Sequence, residues 1–302
     1  MTSPKSAPSG LPAALGAYLL WGFLPVYLIF VRSVPAFEFV GWRIIWTVPL
    51  CMLIVLARRQ WPEVRAALCE PRTMAMLGLS AFLIGLNWLV YIWAIQQNFV
   101  FAASLGYYIN PLLNVMLGTV FLGERLNARQ WTAVALAAAG IAFLLGGALT
   151  TLWISLTLAV SFASYGLVRK TVAVGALPGL TIESAILFLP ATAIALYYAG
   201  LPQGSAFGVT LRMDLLILLG GVLTAVPLLL FAIAARRMAY STLGFIQFLA
   251  PSIVFVLGLT VFGEPLKPAQ LWCFILIWAA LAVFVFDMWA KSRAAAPATV
   301  AL

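Results

Sequence analysis

Histidine is absent from this 302-residue chain, and acidic residues number only eight. The commonest general base and the commonest metal ligand are therefore both missing. The three cysteines, Cys51, Cys69 and Cys273, show no CxxC or zinc spacing, so neither a metal site, a disulfide framework nor any other cofactor is expected. There is no HExxH, no GxSxG and no pair of aspartates within an apolar run, which argues against a membrane-embedded hydrolase or protease. Charge of either sign is scarce, at 8% of residues against about 25% in an ordinary soluble domain. A water-facing fold of this size could not hide the 65% that are hydrophobic.

What is present is a series of apolar runs. A helix needs about 20 apolar residues to cross the hydrocarbon core of a bilayer. Ten windows qualify: 12–31, 37–57, 74–96, 99–122, 130–148, 150–168, 180–199, 214–235, 240–262 and 269–289. Helices satisfy their own backbone hydrogen bonds in lipid, and no ten-residue alternation suggests a barrel. The expected fold class is an all-α polytopic membrane protein. Residues 1–11 read as a polar tail, 12–31 as a retained first helix rather than a signal peptide, and 290–302 as a second tail. The net charge of +9 invites a nucleic-acid reading, but the basic residues are scattered among short loops. No nucleic acid partner is expected.

Those scattered cations report topology. With a cytoplasmic N-terminus, thirteen lysines and arginines fall on the inner side: Lys5, Arg58, Arg59, Arg65, Arg72, Arg125, Arg129, Arg169, Lys170, Arg236, Arg237, Lys291 and Arg293. Only Arg32, Arg212 and Lys267 fall outside, with Arg43 inside a helix. This positive-inside bias implies both termini in the cytoplasm.

Two turns resemble each other across the chain. FLGERLNARQ (121–130) and VFGEPLKPAQ (261–270) share Gly-Glu, Leu and Gln, and Pro111 and Gly118 match Pro251 and Gly258. Five spans lie between the turns, so a duplicated unit inserts upside down, and the outward copy has lost Arg125 and Arg129 as the charge rule requires. Matching like with like, Glu38 pairs with Glu183 at the start of the second helix of each half, and Arg43 falls opposite a residue near Phe188. The halves are expected to be 12–148 and 149–289, two inverted five-helix units. Such repeats build alternating-access transporters, with the substrate near the midplane between them, and also some channels.

Polar residues within the apolar runs locate a candidate pocket. Ser104, Tyr107, Pro111, Asn114 and Gly118 share one helical face, with Asn110 at its flank. Gly244, Gln247, Pro251 and Gly258 repeat the device. Asn87 and Tyr91 beside Trp88, and Tyr165 with Ser161, supply further stripes. These residues either line a cavity or bond neighbouring helices. Arg43 lies about 9 Å into its helix, where a cation is costly unless paired or hydrated, so it either snorkels outward or holds an acid. Glu38 and Glu183 either bind a coupling proton or complement a helix start.

Ten ordered motifs carry a family resemblance: WGFLPVY, WRIIW, IGLNWLVYIWAI, ASLGYYINPLLN, FLGERL, SFASYGLVRK, ESAILFLP, TAVPLLLF, STLGFIQFLAP and FGEPL. Together, over roughly 13–289, they resemble the drug/metabolite transporter superfamily, in its EamA branch and among the RarD-type permeases. The resemblance implies two inverted EamA repeats, a bacterial inner membrane and export of a small metabolite or drug. Members often carry His before the arginine corresponding to Arg43; here Trp42 stands there, so a histidine proton relay is excluded.

The resulting expectation is a lipid-embedded permease, monomeric or homodimeric, exporting an amino-acid-like or amphipathic small molecule. Arg43, Asn87, Trp88, Tyr91, Tyr107, Asn110, Asn114, Tyr165 and Gln247 would bind it. Pro111 and Pro251 would break their helices for gating, and Glu38 and Glu183 are the candidates for proton coupling. A passive channel and a non-transporting membrane protein are the alternatives.

Overall fold

The computed structural model describes residues 9–145 and 149–295. Its α-helices are α1 (Leu11–Leu28), α2 (Ala36–Ala57), α3 (Trp61–Cys69), α4 (Pro71–Gln96), α5 (Val100–Leu122) and α6 (Ala128–Leu145). They continue as α7 (Leu152–Thr171), α8 (Ala176–Ala199), α9 (Leu211–Arg237), α10 (Tyr240–Gln247), α11 (Leu249–Thr260) and α12 (Pro268–Ala295). The described residues contain no strand. Among the described residues ten segments are long and apolar enough to cross a bilayer, with α10 and α11 together forming one of them. The protein is an all-α polytopic membrane protein.

Two features depart from the sequence reading. Residues 61–69 form the helix α3, too short to cross, whose Val64 and Ala67 are buried one turn apart. A 20-residue window cannot register such a segment. The tail expected from 290 is helical as far as Ala295, because α12 runs on past its apolar stretch. The expected ends at 1–8, 146–148 and 296–302 lie outside the described residues.

The duplication is visible in helix starts. Ala36 and Ala176, Pro71 and Leu211, Val100 and Tyr240, and Ala128 and Pro268 each stand 140 residues apart, with Leu11 and Leu152 at 141. The Gly-Glu turns agree atom by atom. Gly123 and Gly263 both take φ of 65°, a left-handed conformation that glycine tolerates. Glu124 N–H donates to Gly118 O at 3.0 Å, and Glu264 N–H to Gly258 O at 2.8 Å. Gln130 and Gln270 then accept from Asn127 N and Lys267 N at 3.1 and 3.4 Å.

This spacing corrects the pairing made by residue likeness. Glu183 is the eighth residue of α8, and the eighth residue of α2 is Arg43, not Glu38. The two halves place opposite charges at equivalent depth.

Helix neighbours also exchange in pairs. α6 packs on α12, α2 on α8 and α5 on α10, each pair relating a helix to its own copy. α4 on α7 matches α9 on α1, and α2 on α9 matches α8 on α4. Small residues permit these contacts, as in other membrane bundles. A Cβ on Gly140 would sit 2.9 Å from Cys273 O, on Gly41 3.0 Å from Ala191 O, and on Gly244 2.7 Å from Pro111 O.

One exchange fails. α11 packs on α1 as α5 does on α7, with Ile253 filling the space over Gly22, but the close packing of α5 on α10 has no counterpart between α11 and α5. α5 and the α10–α11 span therefore meet along one half and separate along the other. Pro251 explains the joint between α10 and α11 at Phe248: its ring displaces the carbonyl four residues back, at Gln247. Pro111 does not break its helix, contrary to expectation, and α5 runs through it from Val100 to Leu122.

Candidate functional site

The beginning of α2 and the α4–α5 corner bring an unusual group together. Arg43 is half-buried, with its guanidinium 5.6 Å from the Phe39 ring and 5.4 Å from the Trp88 ring. Phe39 lies one turn back on α2, and Trp88 comes from α4. Tyr27, Tyr91 and Tyr107 stand close enough to act on the charge. Tyr91 and Tyr107 meet edge to face at 5.6 Å, and Tyr27 is fixed by donating its hydroxyl to Leu216 O at 2.7 Å. Among the described residues no carboxylate forms an ion pair with Arg43, and its Nε is buried without a hydrogen-bond partner.

Among the described residues the fully buried charges are matched. Glu183, 2% exposed, pairs with Arg169, which is wholly buried, at 3.3 Å. Arg169 also donates to Ala176 O at 2.7 Å, and Ser80 Oγ donates to the carboxylate. Tyr165 lies beside this pair, stacked on Phe231. Asp287 accepts from Asn127 at 2.8 Å and pairs with Lys291 at 3.0 Å. Glu38 Oε1 accepts from Ser205 Oγ and Ala206 N, both at 2.7 Å, and from Trp42 Nε1 at 3.2 Å. Glu38 thus pins the α8–α9 loop to the start of α2, and Trp42 stacks on Phe207 of that loop at 4.5 Å.

The asparagine stripe joins helices. Asn114 Nδ2 donates to Gln247 Oε1 at 2.6 Å, and Gln247 Nε2 donates to Asn110 Oδ1 at 2.6 Å. Asn110 Nδ2 reaches Ala159 O of α7 at 2.8 Å. Asn87 donates to Leu158 O and Ser161 Oγ at 2.8 and 3.0 Å. Of the two sequence readings for these four residues, bonding between helices is the one their side-chain amides occupy here.

Of the nine expected binding residues, Arg43, Trp88, Tyr91 and Tyr107 therefore form one cluster. Asn110, Asn114 and Gln247 form a second, and Asn87 stands with α7. Tyr165 belongs to the Glu183 pair. Trp88 links the first cluster to that pair. With Thr47, Tyr165, Glu183, Ser184 and Thr224 it lines a cavity of about 10 Å³, close to the room one water needs.

Arg169, Tyr27 and Asp287 escaped the sequence reading. Arg169 sits next to Lys170 in the last turn of α7 and reads as a loop charge. Tyr27 lies in a run of apolar residues, and its partner Leu216 is on α9.

The profile of the EamA-like transporter family matches residues 8–146, which is close to the first half of the chain. Protein RarD of Salmonella typhimurium is 42% identical, over 94% of this chain and 96% of that protein. An uncharacterised transporter of Vibrio cholerae is 41% identical over 94% of both chains. The chloramphenicol-sensitive protein RarD of Pseudomonas aeruginosa is 34% identical over 92% of this chain and 94% of that one. A crystal structure with 19% identity superposes at a TM-score of 0.70, covering 92% of this chain and 96% of the other, and shows the same fold.

Proposed function

Because this chain belongs to the EamA-like transporter family, among its RarD-type permeases, we propose that it exports a small, partly apolar anion by alternating access. Its coarser identity, a multi-pass inner-membrane transporter, follows from that membership and the ten apolar spans. Residues 12–148 and 149–289 act as the two moving halves, and both termini face the cytoplasm on the evidence of the charge bias.

The observation that carries the cargo's chemistry is Arg43. A half-buried cation without a counterion among the described residues is expensive in a bilayer, and aromatic faces offset only part of that cost. A carboxylate on the cargo, as in an amino acid, supplies the missing charge as a bidentate partner. The rings of Trp88, Tyr91 and Tyr107 receive its apolar part. Of the two glutamates, Glu183 is assigned the coupling proton because it lines the cavity, whereas Glu38 holds a loop. A wild-type flux indifferent to an imposed pH gradient removes that assignment.

The test is saturable flux of labelled amino acids and amphipathic anions in reconstituted vesicles. Loss of a hydrogen bond to a charged group costs about 1.5–3 kcal/mol, so Arg43→Gln should weaken apparent affinity by roughly 10- to 150-fold. Arg43→Lys should recover part of it, keeping charge but losing the fork. Unchanged flux in Arg43→Gln at normal membrane abundance would sink the site, and non-saturable flux would point to a channel.

A further inference from the structure

Two turns of one backbone geometry meet different partners. At the end of α5 both carboxylate oxygens of Glu124 cross to α10, accepting from Tyr240 N at 2.6 Å and Ser241 N at 2.8 Å. Those are the first two residues of α10, whose N–H groups are otherwise unsatisfied by the helix. Gly118 allows the approach, since a Cβ there would stand 3.1 Å from Ser241 N. The carboxylate thus caps a neighbouring helix and clasps the α5–α10 contact shut.

The equivalent atoms at the opposite face are apart. They are the carboxylate of Glu264, beyond α11, and the N–H groups of Val100 and Phe101 opening α5. Glu264 is exposed, Val100 is 51% exposed, and α5 begins without a side-chain cap. Among the described residues outside its own helix turn, only Glu264 comes within 4 Å of a Cβ built on Gly258, the copy of Gly118. This is also the half in which α5 and α11 separate.

We propose that Glu264 is the second clasp of the transport cycle. It closes the far half by capping Val100 and Phe101 as Glu124 now caps Tyr240 and Ser241. A helix N-terminus carries about half a positive charge and free donors, so it attracts a carboxylate without a specific side chain. The joint at Phe248 lets α11 swing while α10 stays packed. Closure brings Tyr107, the copy of Gln247, against Ala250 and Val254, the copies of Asn110 and Asn114. Tyr107 stands beside Arg43, so this movement seals the Arg43 cluster from that face. The proposal rests on the alternating-access reading.

The test uses the full chain in membranes with Cys51, Cys69 and Cys273 replaced by alanine. Val100→Cys and Phe262→Cys are introduced together and treated with a short bifunctional maleimide. Both sites are exposed, and their copies, Tyr240 and Leu122, share one packed cluster in the closed half. A cross-link is expected. Glu264→Ala should lower its yield by roughly tenfold or more, the scale of one lost charge-assisted hydrogen bond, and Glu124→Ala should raise it. A second pair, Leu122→Cys with Ser241→Cys, should cross-link undiminished in Glu264→Ala, showing that the variant is folded. No cross-link in any background, or a yield indifferent to Glu264→Ala, overturns the proposal. A protein that cross-links as expected yet shows no saturable flux keeps the clasp and loses the alternating-access reading.

Discussion

Removing one member of the Arg169–Glu183 pair should damage the fold far more than removing both. The two side chains are 0% and 2% exposed, with Nη1 and Oε1 3.3 Å apart. At an effective dielectric of about 20, unit charges at that distance attract by about 5 kcal/mol, while each alone carries a desolvation cost of several kcal/mol. Arg169→Met leaves Glu183 with the Ser80 hydroxyl, and Glu183→Met leaves Arg169 with the Ala176 carbonyl. Each single change should therefore cost about 3–5 kcal/mol, and the double change much less than their sum. The assay is reversible unfolding in mixed detergent micelles, closed as a double-mutant cycle. Additive losses would show that the two charges do not sense each other and would refute the reasoning. Gly179→Ala is an internal check: a methyl there overlaps the guanidinium, so it should destabilise wild type and be nearly silent once Arg169 is methionine.

Other expectations are more local. Asn114→Leu removes the 2.6 Å bond to Gln247 and should cost about 0.6–1.7 kcal/mol by the same unfolding assay. Glu38→Ala releases the α8–α9 loop, so protease cleavage within residues 200–210 should accelerate by roughly tenfold or more. Glu70 caps α4, and the hydrogen bonds from Thr73 first, then from Arg72, hold its carboxyl below the ordinary glutamate range. A depressed folded value means that the cap's contribution is present above the unfolded value and fades as pH falls through the folded one. Amide exchange at Thr73 should therefore quicken on acidification in wild type, relative to intrinsic rates, and lack that dependence in Glu70→Ala.

Spans and turns were legible in the sequence because both depend on local chemistry. An apolar run of sufficient length needs no partner to declare itself, and a Gly-Glu turn carries its own geometry. The partner of a polar side chain is another matter. Asn110, Asn114 and Gln247 have the same helical spacing whether they face water or one another, and only the α5–α10 contact decides. Arg169 reads as a loop cation because its acid lies fourteen residues on, across a helix reversal. The Glu38–Glu183 match failed for a different reason: identical letters were aligned although the turn at Glu124 and Glu264 already fixed the spacing at 140. That spacing leads from Arg43 to Glu183. Between α2 and α4, the link between Arg43 and Trp88 was beyond reach, since nothing in either helix announces the other.

The unequal seams between α5 and the α10–α11 span carry a thermodynamic bias. The shut seam holds an amide ladder through Asn110, Gln247 and Asn114, whereas its counterpart offers a phenol, a methyl and an isopropyl group. With interhelical bonds averaging about 0.6 kcal/mol, the two that cross this seam favour one end state by about 1.2 kcal/mol, roughly eightfold in population. Under the alternating access proposed above, a machine doubled from one ancestral half acquires a preferred idle posture, and the return stroke is the one that needs an external driving force.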